Sequence, residues 1–371
     1  MSVENKTEYS PTENWPGPRP GVQAPPPPAP PARPRVSRRR PRWVGVVAGA
    51  GAVAVVAAGA FVVLHGRGQQ GATATGTAYT FHTYNNSSDP AFNQLLGITN
   101  GGVIAGYFGS GAAGHPNRGY QLLPGGQGDY VNENFPGSVQ TQVTGLNDTG
   151  ITVGFFSGQN DANAASNPNY GFYAVRGTQF HQVTFPTSDM ASPPVSQLLG
   201  VNDHGVAVGF YTNGQGNNRG YEYNIHTHQF SRVLEPGAPH GGSKGPSLTA
   251  AAINSHGDVA GFVAVAGGKV DAFLSKAGGR FIKIAYPGAS MTQAFGVNDR
   301  DEVVGVYTIG TGSKAKMYGF TWQPGHGFTT VSDPKGVGST VVNGVNNAGD
   351  LVGFYTDSKG NTDGMLALPS H

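Results

Sequence analysis

Six times between about residue 97 and residue 355, a short apolar run meets a polar turn, glycine-bearing in five copies, and resumes as a second apolar run. The clearest copy is Gly200-Val201-Asn202-Asp203-His204-Gly205-Val206-Ala207-Val208-Gly209-Phe210-Tyr211. The copies align on two glycines nine residues apart: Gly97/Gly106, Gly145/Gly154, Gly200/Gly209, Gly296/Gly305 and Gly344/Gly353. A fourth copy keeps Gly261 and has Ala252 in the first position. Asn and Asp tolerate left-handed backbone and bond their own chain, and Gly enters it without steric penalty, so each copy predicts a β-hairpin. The fifth copy has Asp301 where the turn glycine stands, which predicts a different turn type there.

The run after the turn is apolar at nearly every position, as in Thr152-Val153-Gly154-Phe155-Phe156 and Leu351-Val352-Gly353-Phe354-Tyr355. A strand with one wet face would alternate, so both faces of this one are expected to be covered. The glycine inside it marks close backbone approach from an adjacent element. A third run follows, carrying Gly-aromatic pairs (Gly119-Tyr120, Gly171-Phe172, Gly220-Tyr221, Gly319-Phe320) with Ala272-Phe273 and Gly364-Met365 as variants. Fourth runs fall at 180–185, 230–234, 281–286 and 328–332. The second glycines lie 48, 55, 52, 44 and 48 residues apart. Four strands per repeat of that length predict an all-β fold, a six-bladed β-propeller of four-stranded blades. The last copy stops after its third strand, 363–368, while an orphan strand, 79–84, precedes the first. The orphan fills the vacancy, so the ring closes through an N-terminal strand and leaves no exposed edge.

These repeats resemble the extracellular HAF family, whose hallmarks are a Gly-Ile/Val-Asn-x-x-Gly-x-Val-x-Gly hairpin and a following His-Ala-Phe or His-Gly-Phe. The resemblance spans about residues 79–368. The hairpin half is present in all six copies, and Asp271-Ala272-Phe273 and Tyr318-Gly319-Phe320 come nearest to the second half, without its histidine. Membership implies an extracellular, propeller-like domain and no particular activity.

What precedes the repeats is different in kind. Residues 1–42 are Pro-rich, and Lys6 with seven arginines outweighs Glu4, Glu8 and Glu13. Such a segment buries too little apolar surface to fold and samples extended polyproline II, which reads as a disordered cytoplasmic tail. Residues 43–64 carry no charge, and as a helix of about 1.5 Å rise per residue they reach across a bilayer. Arg38-Arg39-Arg40-Pro41-Arg42 on the N-terminal side keeps that side in the cytoplasm. The expected organisation is therefore a tail (1–42), a single transmembrane helix (43–64), a flexible linker (65–77) and an extracellular repeat domain (78–371), held at the cell membrane. A cleaved signal peptide, with Ala72-Thr73-Ala74 as its site, is the alternative.

Charge and chemistry narrow the function only a little. The total of +2 leaves the chain beyond the basic tail weakly acidic, which argues against nucleic acid as a partner. With no cysteine there is no disulfide framework and no thiolate metal or redox centre. Gly241-Gly242-Ser243-Lys244-Gly245 matches a nucleophile-elbow pattern but sits in a loop between strands, where that motif lacks its strand-to-helix turn. His204 and His256 hold equivalent turn positions, His226 and His228 make an incomplete metal pair, and the Asn-Asp turns read as structural. Asn85, Asn86 and Asn147 begin Asn-x-Ser/Thr patterns. The sequence thus names no catalytic or metal residue, no cofactor and no binding residue. It supports a membrane-anchored binding or scaffolding propeller for an extracellular protein or polysaccharide, using its long loops. A structural envelope protein and a propeller lyase or hydrolase are the alternatives.

Overall fold

In the computed structural model, the residues described are 79–112, 114–125, 129–158, 167–235, 246–264 and 268–370. The tail, the apolar segment 43–64 and the linker lie outside them. No helix among the described residues is long and apolar enough to cross a membrane. Among the described residues the regular structure is β-strand apart from short 3₁₀ geometry such as Gly312–Lys314.

By antiparallel pairing the described strands group into six units of four, and short parallel pairings join the second unit to the third and the fourth to the fifth in two eight-stranded sheets. Unit 1 is β2 (Asn93–Ile98), β3 (Ile104–Phe108), β4 (Arg118–Leu122) and β5 (Tyr130–Asn132). Unit 2 is β6 (Gln140–Leu146), β7 (Ile151–Ser157), β8 (Asn169–Val175) and β9 (Gln179–Val183). Unit 3 is β10 (Val195–Val201), β11 (Val206–Thr212), β12 (Asn218–Asn224) and β13 (Gln229–Arg232). Unit 4 is β14 (Leu248–Ile253), β15 (Val259–Ala264), β16 (Val270–Ser275) and β17 (Phe281–Ile284). Unit 5 is β18 (Met291–Val297), β19 (Val303–Ile309), β20 (Lys316–Gln323) and β21 (Gly327–Val331). Unit 6 is β22 (Thr340–Val345), β23 (Leu351–Thr356), β24 (Thr362–Pro369) and, from the other end of the repeat domain, β1 (Tyr79–Tyr84). β1 lies antiparallel to β24 from Tyr79 opposite Pro369 to Tyr84 opposite Gly364, so the orphan strand does occupy the vacant place.

The glycine and aromatic pattern has a packing cause at each position. A Cβ on Gly97 would come within 3.2 Å of the Gly145 Cα, one on Gly145 within 3.0 Å of Gly200, and one on Gly200 within 3.0 Å of Ala252. Gly296 faces Gly344 and Gly344 faces Gly97 in the same way, so the first strands of successive units meet at small residues. At the second glycine the close backbone approach expected from an adjacent element comes from the first strand of the same hairpin. A Cβ on Gly209 would overlap the Gln197 carbonyl of its own hairpin, where a β-bulge turns that carbonyl inward. The third-strand aromatics Tyr120, Phe172, Tyr221, Phe273 and Phe320 are fully buried, and the glycine before all but Phe273 receives a side chain from the next unit. Gly119 takes Val143, Gly171 takes Leu198 and Gly319 takes Val342. Unit 4 has Ala272 instead, and the facing residue is correspondingly small: both Ala272 and Ala294 are buried in one cluster. The core is therefore a series of seams between units rather than one central mass.

Candidate functional site

The hairpin turns gather around one opening of about 100 Å³, lined by all six copies. Each turn has the same backbone form. Gly205 N–H bonds the Asn202 carbonyl, Asn202 N–H bonds the Val206 carbonyl, and Gly205 has φ +70°. This is a type I turn followed by a left-handed residue. The fifth copy is no exception, contrary to expectation: Asp301 takes φ +60° and keeps both bonds, to Asn298 and from Asn298 to Glu302. Asp is among the few residues that enter this region at modest strain, and the Lys276 ammonium at 2.7 Å holds its carboxylate.

Two belts of hydrogen bonds join the turns. In the inner belt, an Asn amide donates to the first turn carbonyl of the next unit: Asn147 to Asn202 (2.8 Å), Asn202 to Asn254 (3.1 Å), Asn254 to Asn298 (3.1 Å), Asn298 to Asn346 (2.9 Å) and Asn346 to Thr99 (3.2 Å). The same side chains accept from their own turns; the Asn202 Oδ1, for example, accepts from the N–H groups of His204 and Val206. The outer belt runs through Asn100, Asp148, Asp203, Ser255, Asp299 and Asn347 and returns to Asn100, each step at 3.5 Å or less. Burial works to raise the Asp299 pKa, but hydrogen bonds from Asn347 and Ser255 hold it below the usual carboxylate range.

The inner belt lacks one member. Unit 1 has Thr99, whose hydroxyl turns back to accept from Val103 N–H at 3.0 Å instead of reaching Asn147. At that seam a cleft of about 330 Å³ opens, lined among others by Thr99, Asn100, Val103, Gln121, Asp148 and Thr152.

Behind the cleft lies a buried acid. Glu133 N–H pairs with the Gly119 carbonyl, the ladder position that Val183, Val233 and Val331 hold opposite Gly171, Gly220 and Gly319. Ile284 holds it opposite Ala272. Where every one of these units places a buried aliphatic, unit 1 places a carboxylic acid that is 1% exposed. Thr152 Oγ1 donates to its Oε1 and Gln121 Nε2 to its Oε2, the latter at 2.6 Å. Thr152 itself stands where the other hairpins have Ile104, Ala207, Val259, Val303 and Leu351. Burial raises the Glu133 pKa, and the bonds from Thr152 and Gln121 offset that only in part. The seam is thus an acceptor-rich recess with aliphatic walls.

Of the residues singled out from sequence, Asn147 lines the cleft and the others lie elsewhere. His204 and His256 are exposed turn residues. His226 rests against Gly205, while His228 Nδ1 bonds the Tyr223 hydroxyl at 2.7 Å, so each has its own surroundings. No group of three or more metal-ligating side chains occurs among the described residues. Gly241–Gly245 lies outside them. The three Asn-x-Ser/Thr asparagines are structurally committed: Asn147 serves the inner belt, Asn85 donates to Asp363 at 2.7 Å, and Asn86 accepts from Ser88 N–H. Glu133 was not foreseen because strand β5 lacks the Phe-led pattern of the other fourth strands. Aligning that strand by its ladder position would have found it.

No family model matches the chain, and no curated protein does. Solved structures that resemble it include a polysaccharide lyase, an ulvan lyase bound to -[GlcA(1-4)Rha3S]- (12% identity, TM-score 0.42, 76% of this chain and 79% of that one). They also include a mutant of the Aleuria aurantia lectin with α-methyl-L-fucoside (13%, TM-score 0.43, 74% and 94%) and SapL1 lectin with α-methyl fucoside (12%, TM-score 0.47, 76% and 94%). Likeness this distant assigns neither ligand nor reaction.

Proposed function

We propose that the repeat domain is a closed six-bladed β-propeller, carried outside the cell on segment 43–64, that acts as a binding or scaffolding module through its long loops. The observation that carries this reading is the contrast between the two ends of the strands. At one end every first-to-second-strand turn is the same short hairpin, tied to its neighbours by the belts. At the other end the connections between second and third strands, and from one unit to the next, range from five residues (357–361) to fifteen (233–247). A rigid ring bearing unequal loops on one rim is an arrangement suited to recognition, since loops change at little expense to the scaffold. The chain enters at Tyr79, the start of a fourth strand, on the turn rim. A tether there leaves the long-loop rim free for an extracellular protein or polysaccharide.

The test is capture by the full chain of extracellular proteins or arrayed glycans, repeated with loops 157–169 and 235–247 shortened. Binding lost with the melting transition intact supports the reading. Binding that survives both deletions, or is lost only through turn substitutions, overturns it.

A further inference from the structure

We propose that the cleft between units 1 and 2, on the turn rim, is a separate binding site for a small aliphatic ammonium compound. The inference is independent of the long loops. Two sequence departures that coincide at one seam of the ring make the site. Thr99 leaves out the Asn link that the next five turns each supply, and this opens the recess. Glu133 and Thr152 replace aliphatic core residues immediately behind it. An apolar seam would be the simpler solution for stability, as the sister seams show.

The chemistry of the lining selects the ligand. Thr152 spends its proton on Glu133 and Gln121 spends an N–H there, leaving the hydroxyl lone pairs and the Gln121 Oε1 as acceptors. At the mouth stands the Asp148 carboxylate, and Val103, Leu146 and Ile151 supply aliphatic wall. The recess therefore asks for hydrogen-bond donors on a short hydrocarbon frame. Charge decides between a polyol and an amine. Glu133 lies behind the lining, bonded to two neutral groups that do line it, Thr152 and Gln121, so its negative charge and that of Asp148 on the lining both favour a cation in the recess. No Lys or Arg among the described residues lines the cleft, so an ammonium group on the ligand would be its cation.

The probe pair is putrescine and 1,4-butanediol, alike in frame and different in charge, titrated calorimetrically into the full chain at neutral pH. Putrescine is expected to bind saturably, and the diol about tenfold or more weakly, the scale of a charged hydrogen bond. The double variant Glu133→Val with Thr152→Val gives the seam the residue types of its sisters, and should melt no lower while losing putrescine about tenfold. Should that variant fail to fold, Thr99→Asn serves instead: it restores the belt and closes the recess, and is expected to abolish putrescine binding. No saturable putrescine heat, equal binding of the diol, or full affinity in either folded variant overturns the proposal.

Discussion

Asn346 donates its side-chain N–H to the backbone carbonyl of Thr99 at 3.2 Å, joining the last unit to the first across 247 positions of chain. Its Oδ1 at the same time accepts from the N–H groups of Ala348 and Asp350. One amide therefore shapes a turn and holds a seam. Asn202 does the same within the ring, toward Asn254. Asn346→Ala and Asn202→Ala should each lower unfolding free energy by about 2–3 kcal/mol, because buried groups lose partners on both sides. Urea unfolding of the two variants checks this. Equal losses are expected of a closed ring; a markedly milder Asn346→Ala would show that the last seam carries little load.

Deleting residues 79–84 should be more damaging than either. β1 gives β24 its outer partner, and Tyr79 and Phe81 pack against the unit 6 cluster. Thr83 Oγ1 bonds the Tyr355 hydroxyl at 2.9 Å, and Gly364 N–H donates to the side-chain Oδ1 of Asn85 at 3.0 Å. Without the strand, β24 becomes a free edge, a template for pairing with other chains. A fall of more than about 5 °C in melting temperature with light scattering on heating is expected. Melting indistinguishable from the intact chain would mean that β1 does not secure the ring.

How far the fold was legible follows from where the repeat carries information. Paired glycines nine residues apart and the Gly-aromatic pairs gave the strands, their number per unit and the role of 79–84, because each answers a packing need repeated six times. Asp301 was misread because Asp, like Gly, can take the left-handed position, and the Lys276 ion pair that holds it there comes from the preceding unit, which no local pattern links to it. Glu133 was missed for a related reason. Its meaning lies in the contrast with Val183, Val233 and Val331, visible only when fourth strands are set in register. A binding site built by departures from a repeat is hidden wherever the repeat itself is faint.

Asp301 offers a direct test of its double role. Asp301→Gly removes left-handed strain worth about 1 kcal/mol and also removes the ion pair with Lys276. Both side chains are 28% exposed, so that pair is worth at most about 1 kcal/mol. The two effects oppose, and the variant should be within about 1 kcal/mol of the parent. Asp301→Val loses the pair and adds the strain of a β-branched residue at φ +60°, and should fall by about 2 kcal/mol or more. Chemical denaturation of the pair of variants separates the contributions. A Val variant as stable as the Gly variant would show that the turn relaxes to another form.

The final prediction concerns pH. Burial raises the Glu133 pKa in the fold above the value of about 4.3 expected of an unfolded glutamate. Below that unfolded value the acid is protonated in both states and carries no penalty. As pH climbs through the window up to the raised folded value, the unfolded chain sheds the proton first, so it binds fewer protons than the native state and stability falls with rising pH. Glu302 and Asp333 are raised by burial as well, so the curve of the parent alone mixes three acids. The difference between the parent and Glu133→Gln isolates one. Measured as urea midpoints from pH 4.5 to pH 8, that difference should move against the parent as pH rises and then level off. A flat difference would mean that Glu133 ionises in the fold as freely as in the unfolded chain. Putrescine should act in the opposite sense, stabilising the parent most at the high end of the window. The share of Glu133 that is ionised rises with pH, and an arriving ammonium offsets part of what burial costs that form.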